Sequence, residues 1–154
     1  MRHFQTLYDF TEASGEELGL GRWMVIDQTR IDRFAEATGD GSWVHIDPER
    51  ASRELPAGRT LAHGYLSLAL ITALSQELWQ VKSLTKALLY GVEECRFPAP
   101  VPDGARVRLR QRLIAATVTA TGAVRAVFGN TIEVETAAKP ACVAQTISLL
   151  FEES

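Results

Sequence analysis

Asp40 and His45 stand five residues apart in the stretch Gly39-Asp40-Gly41-Ser42-Trp43-Val44-His45, and Gly64 follows downstream. A carboxylate and an imidazole at that separation, in a turn-rich segment, can hold one water between an acceptor and a group able to take or give a proton. Water held in this way can add to a carbon–carbon double bond conjugated with a carbonyl. The addition also needs a proton donor for the α-carbon and something to stabilise the enolate oxygen. Gly64 opens a long apolar segment. At the start of a helix, free backbone N–H groups and the positive end of the macrodipole favour negative charge. The missing side chain would let a thioester oxygen come close. Taken singly, each residue has a plainer reading: Asp40 as a turn or cap residue, His45 as a packed or surface histidine, Gly64 as the small residue at a helix start. Order and spacing together point to chemistry.

Three helices and a sheet must carry these groups. Ile31, Phe34, Ala35 and Ala37 recur at helical spacing across residues 28–38, with Asp27 or Thr29 placed to cap the start and Gly39 to end it. Asp47-Pro48-Glu49 signals a further short helix, since the aspartate accepts from free backbone donors and proline at the first helical position sacrifices none. Residues 64–79 carry no charge before Glu77, which predicts a helix wrapped by other structure on most of its circumference. After it the period changes to two. Arg106, Arg108, Arg110 and Arg112 alternate with Val107, Leu109 and Leu113, and Val124, Ala126, Phe128, Ile132 and Val134 alternate with Arg125, Glu133 and Glu135. Long antiparallel strands fit this pattern, with Arg–Glu pairs helping to fix their register. Residues 87–97 and 141–151 supply two more strands, and residues 20–27 another near the beginning. One curved antiparallel sheet around one long buried helix, an α+β arrangement, satisfies these signals. Its unpaired edges favour a dimer joined edge to edge.

Composition narrows the function classes. Sixteen Lys and Arg against nineteen Asp and Glu give a formal charge of −3, so nothing overall attracts nucleic acid or an anionic membrane. With 46% hydrophobic residues and no linker, repeat or low-complexity tract, residues 1–154 read as a single domain with one core. Cys95 and Cys142 form no Cys-x-x-Cys pair, so neither a disulfide framework nor a metal site of zinc type is readable, and reduced thiols are expected. No apolar run reaches the ~18 residues of a membrane span. The start, Met1-Arg2-His3-Phe4, lacks the pattern of a secretory signal, and the expected location is the cytoplasm.

Residues 37–51, Ala-Thr-Gly-Asp-Gly-Ser-Trp-Val-His-Ile-Asp-Pro-Glu-Arg-Ala, followed by Leu61-Ala62-His63-Gly64, resemble the hydratase motif of the MaoC-like (R)-specific enoyl-CoA hydratases. The likeness extends to Arg96-Phe-Pro-Ala-Pro-Val-Pro-Asp-Gly104 and Lys139-Pro-Ala-Cys-Val-Ala144, which look like the nodulation-protein-N-like branch, and it covers nearly the whole chain. The resemblance implies a hot-dog fold and a homodimer. It also implies an acyl thioester of coenzyme A or acyl carrier protein, entering a tunnel along the central helix near the subunit interface. In that scheme Asp40 and His45 bind and activate the water, Gly64 N–H binds the thioester carbonyl, and the Thr72 hydroxyl lies beside the pocket. The (R) configuration of the 3-hydroxyacyl product comes from the resemblance alone. No cofactor and no metal is called for.

The motif departs from its family at two positions. Where the pattern usually has Asn and then Pro, this chain has Ser42 and Trp43. Serine offers a short hydroxyl to orient Asp40 or His45, with fewer donors than an amide, and Trp43 reads as a loop anchor. The arginine row reads as a solvated sheet face rather than a phosphate site, His63 as the residue holding the turn before Gly64, and Arg96 and Tyr90 as pocket or interface residues. Two rival functions share the fold: an acyl-CoA thioesterase, and a non-catalytic acyl-CoA-binding module. Hydration requires Asp40 and His45 to converge over a dry slot at the amino end of the long helix.

Overall fold

The computed structural model describes residues 1–152; Glu153 and Ser154 lie outside the described residues. In chain order the elements are β1 (Arg2–Phe4), α1 (Leu7–Glu12), β2 (Glu17–Leu20), β3 (Met24–Ile26), α2 (Gln28–Thr38), α3 (Trp43–Ile46), α4 (Pro48–Glu54), α5 (Gly64–Ser75), β4 (Trp79–Val81), β5 (Leu84–Arg96), β6 (Ala105–Val118), β7 (Val124–Val134) and β8 (Cys142–Glu152). α2 has the expected bounds. The Asp27 side chain accepts from Arg30 N–H, Ile31 and Ala35 face inward, and Gly39 closes the helix at φ 76°, a left-handed conformation that suits glycine. Asp47 caps α4 in the same way by accepting from Arg50 N–H, with Pro48 at its start.

The main sheet runs in the order β2-β6-β7-β8-β5, with β3 also paired to β6 and every pairing antiparallel. Its register sets Val107 opposite Val134, Arg108 opposite Glu133 and Leu109 opposite Ile132. The period-two pattern is therefore the one the sheet uses: aliphatic residues enter the core and arginines face out. On the outer face Arg108 Nε donates to Glu133 at 2.7 Å, Arg110 Nε to the same carboxylate at 3.0 Å, and Arg106 Nη1 to Glu135 at 2.8 Å. Burial by itself pushes the Glu133 carboxyl up, but the bonds donated by Arg108 and Arg110 outweigh it and hold the group below the usual carboxylate range.

α5 lies across β6, β7 and β8 and buries Leu66, Leu70, Ile71 and Leu74. The helix stops earlier than its apolar run predicts. Leu78 N–H turns back to the Ser75 carbonyl, and Trp79 enters β4, which pairs in parallel with β1 as a small second sheet. Its wrapping is also less complete than expected. Tyr65, Ala69, Thr72 and Ala73 face outward, because the sheet covers one side of the helix and, among the described residues, no second layer covers the other. The strand expected over residues 20–27 is two strands, broken where Gly21 N–H bonds to the Leu109 carbonyl. α1, too short to show a helical period in the sequence, is held by a capping box between Thr6 and Asp9. With these corrections the architecture is the α+β hot-dog arrangement.

Two further features matter below. β5 is an edge strand, paired only with β8, and its register shifts three times, with Glu94 at φ 51° within the last shift. Such bulges bend a strand. Leu88, Leu89, Tyr90 and Val92 are exposed along it. Between the apolar cluster around α5 and the one around α1 runs a polar row. Trp79 Nε1 donates to Gln111 Oε1 and Gln111 Nε2 to Asn130 Oδ1, both at 2.8 Å, and Asn130 Nδ2 donates to Thr146 Oγ1 at 2.9 Å. Cys95 and Cys142, remote in sequence, become neighbours across β5 and β8 as free thiols, and burial, with Cys95 beside it, pushes the Cys142 thiol up to about 12. Among the described residues no helix is long and apolar enough to cross a membrane.

Candidate active site

The left-handed turn at Gly39 throws the chain out of α2, and the chain then coils through α3, so half of the segment expected to be irregular is a helical turn. His45 sits in that turn. Its carbonyl accepts from Gln28 Nε2 at 2.7 Å, while the Gln28 amide is itself held by Asp32 and by the Thr60 hydroxyl, which donates to Gln28 Oε1. His45 Nδ1 lies 2.7 Å from the Leu61 carbonyl oxygen. A carbonyl can only accept, so Nδ1 carries the proton, and Nε2 is left as the acceptor of the neutral ring.

His63 meets both members of the dyad. Its Nε2–H donates to the Asp40 carbonyl at 3.0 Å, and its ring stacks on that of His45 with centroids 3.7 Å apart and planes 25° apart. Phe34 packs against the same ring at 5.0 Å between centroids. His63 is 2% exposed, and its Nδ1 is buried without a hydrogen-bond partner. A carboxylate oxygen of Asp40 and one ring nitrogen each of His45 and His63 all lie within 4.8 Å of one another. Two hydrogen bonds of ~2.8 Å meeting at a tetrahedral water oxygen span about 4.6 Å. The gap between Asp40 and His45 therefore suits one water. It suits a cation poorly: face-to-face imidazoles send their in-plane lone pairs along near-parallel lines, and His45 Nδ1 and His63 Nε2 are already committed as donors.

At the start of α5 the N–H groups of Leu66 and Ser67 turn back to the His63 carbonyl. Those of Gly64 and Tyr65 are left at the helix's open end, as the first N–H groups of any helix are. Ring atoms of Phe97 lie 3.2–3.3 Å from where a Cβ on Gly64 would stand. The absent side chain thus admits the Phe97 ring against the start of α5.

The remaining site residues fall less neatly. Ser42 meets Asp40 through its backbone, with N–H 3.4 Å from Asp40 Oδ1, and its hydroxyl caps nothing at the start of α3, so the orienting role expected of that hydroxyl is not seen. Trp43 is an anchor as expected, with the Arg50 guanidinium 4.1 Å above its ring. Thr72 lies eight residues beyond Gly64, about 12 Å along the helix axis. It lines a cavity of about 410 Å³ with Ser75, Trp79, Leu89, Gln111 and Thr146, and neither Asp40 nor His45 is in that wall. The dry slot is also not closed in a single chain, where the Asp40 side chain is 55% exposed. The neighbouring Tyr65 and Phe97 rings, 6.4 Å apart, are exposed as well. Sequence reasoning missed Gln28, Thr60 and Phe97, whose contacts join remote segments and leave no periodic trace, and it gave His63 chiefly the turn, with direct chemistry as the lesser reading.

Comparison with known proteins bears on this arrangement. The family described as MaoC like domain matches residues 9–139. The 3-hydroxyacyl-thioester dehydratase Z of Mycobacterium tuberculosis is 45% identical over 147 residues, covering 96% of this chain and 97% of that protein. Nodulation protein N of Rhizobium leguminosarum bv. viciae is 37% identical, covering 96% of this chain and 92% of its own. Among solved structures, the unliganded R-hydratase PhaJ1 of Pseudomonas aeruginosa shares the fold with a TM-score of 0.73 at 21% identity, over 91% of this chain and 83% of that one.

Proposed function

Since this chain belongs to the MaoC-like domain family, we propose that it is a hydro-lyase that reversibly adds water to a trans-2-enoyl thioester, giving the (R)-3-hydroxyacyl thioester. The reverse direction, loss of water from a 3-hydroxyacyl thioester, is the reaction named for its 45% identical relative. One observation carries the reading: the Asp40 carboxylate lies within 4.8 Å of a ring nitrogen of His45, a separation one water can bridge, beside the His63 ring at the amino end of α5, and His45 Nε2 is uncommitted.

Both groups accept hydrogen bonds, so a water between them directs its two hydrogens inward and an oxygen lone pair outward, toward the β-carbon. Asp40 takes a proton as that oxygen adds, and the electron pair of the double bond moves to the thioester oxygen, held by Gly64 N–H. The enolate then takes the same proton at its α-carbon, passed through Nε2 of His45. His45 donates only after it has accepted, since its resting proton is tied to the Leu61 carbonyl. The net change is H and OH across the double bond. The cavity wall that holds Thr72 runs along the far half of α5 and is the seat we assign to the acyl chain. A second copy of the chain, joined at β5 and over the exposed Tyr65, Ala69 and Ala73 side of α5, would exclude water from the Asp40 slot. Free thiols at Cys95 and Cys142 suit the reducing cytoplasm.

Crotonyl-CoA tests the reaction. The enoyl absorbance should decay on adding the protein, and chiral analysis of the product should give the (R) isomer. Unchanged absorbance across enoyl-CoA lengths, with tight acyl-CoA binding, would establish the non-catalytic module instead. Release of free thiol from a saturated acyl-CoA would establish the thioesterase.

A further inference from the structure

Under the hydratase reading, on which this inference rests, His63 has no bond to make or break, yet it touches every part that does. The geometry points to His63 as a positioning residue that holds Asp40, His45 and Gly64 in one frame. It is bonded through its own carbonyl carbon to the Gly64 nitrogen that serves as oxyanion donor. Its ring face lies 3.7 Å from the His45 ring and sets the plane of that imidazole, while the Leu61 carbonyl fixes the remaining rotation through Nδ1. Its edge holds the Asp40 main chain through a 3.0 Å bond from Nε2–H to the Asp40 carbonyl.

That last contact is the shortest of those on the aspartate. The other hydrogen bonds are longer, Asp40 N–H to Thr38 Oγ1 at 3.3 Å and Ser42 N–H to Asp40 Oδ1 at 3.4 Å, and the Asp40 carboxylate itself stands 3.9 Å from the same His63 Nε2. Asp40 is flanked by Gly39 and Gly41, so its backbone is otherwise free to wander. The unpartnered Nδ1 gives a second, independent reason. A buried nitrogen with no partner opposes folding, and an apolar ring of similar shape would fill the same space without it. Packing alone therefore favours phenylalanine here, and the imidazole is explained by what its other nitrogen does. A shift of the carboxylate by a fraction of an ångström relative to the His45 ring would spoil the one-water geometry, which is where such a residue acts on rate.

Two variants separate the roles. His63→Phe keeps a ring to stack on His45 and removes the N–H donor; His63→Gln keeps a donor with similar reach and removes the stack. Hydration of crotonyl-CoA by the Phe variant should show kcat reduced roughly 10- to 100-fold with KM within about twofold of wild type. Its thermal midpoint should be equal to or above wild type, because the orphaned nitrogen is gone and the exposed Asp40 can turn to water. The Gln variant should recover most of the lost kcat. Wild-type kcat in the Phe variant overturns the inference, as does a Gln variant no better than Phe. A Phe variant with lowered midpoint and raised KM would reduce His63 to a space-filling residue. A wild-type protein inert toward every enoyl thioester overturns the hydratase reading itself, and this inference with it.

Discussion

The arginine–glutamate ladder on β6 and β7 and the Asp40–His45 loop both bring ionisable side chains close together, and they use them in opposite ways. In the ladder Glu133 accepts from two guanidiniums, and their pull, against burial, holds its carboxyl below the usual carboxylate range. Arg110 is correspondingly held up, first by its hydrogen bond to Glu133 and then by Glu17. In the loop, among the described residues, no guanidinium reaches Asp40, and His45 keeps one nitrogen uncommitted. Polar capacity that is filled fixes strands in register; capacity left over at a fixed place can bind and transform a substrate. Substitutions should therefore separate cleanly, with the loop governing turnover and the ladder governing stability.

The sharpest break is Asp40→Asn, expected to lower kcat roughly 10²- to 10⁴-fold in the crotonyl-CoA assay while leaving the thermal midpoint where it was. His45→Gln should cost about 10²-fold, the lower end of that range, since the amide still holds a water. Equal losses of stability in either variant would erase the distinction. On the ladder, Glu133→Gln should lower stability by about 1 kcal/mol, seen as a midpoint about 2–4 °C lower, with kcat intact. The folded Glu133 carboxyl is held below its usual value, so its contribution is complete above the unfolded carboxylate value of about 4.3 and is lost as pH falls through the folded one. Glu152 behaves alike, held down by the Ser83 hydroxyl and then by Leu7 N–H. Acid titration of stability in Glu133→Gln should accordingly be shallower than in wild type. Smallest of all is Arg112→Ala. For this arginine no ion pair is recorded among the described residues, and a change within about 0.5 kcal/mol is expected.

The same contrast explains what could be read before the structure. Alternation places every second residue of a strand on one face, so the meeting of the arginine row with Glu133 and Glu135 followed from period and sign, while the register that sets Arg108 opposite Glu133 did not. Capping chemistry located both ends of α2, and Asp47-Pro48 located α4. The loop was half legible. Asp40, His45 and Gly64 could be picked by type and order, but the stacking of His63 on His45 and the grip of Gln28 on the His45 carbonyl join residues far apart in sequence. No period encodes such contacts. The end of α5 was hidden because Ser75, Gln76 and Glu77 are compatible with a helix running on to Leu78 and Trp79, and no glycine or proline marks the stop. The openness of the Asp40 slot was unreadable for another reason, since exposure belongs to assembled surfaces rather than to any one segment.

The polar row that crosses the core has a consequence for how the chain finds its fold. Slide β7 one residue along β6, and Gln111 faces Gly129 or Thr131 in place of Asn130, which swings to the outer face and leaves the Gln111 amide stranded in the core. Each orphaned group costs roughly 1–3 kcal/mol, and the aliphatic residues of β7 would turn to the outer face at the same moment. Gln111, Asn130 and Thr146 thus act like the wards of a lock, admitting one alignment of three long strands and rejecting its neighbours.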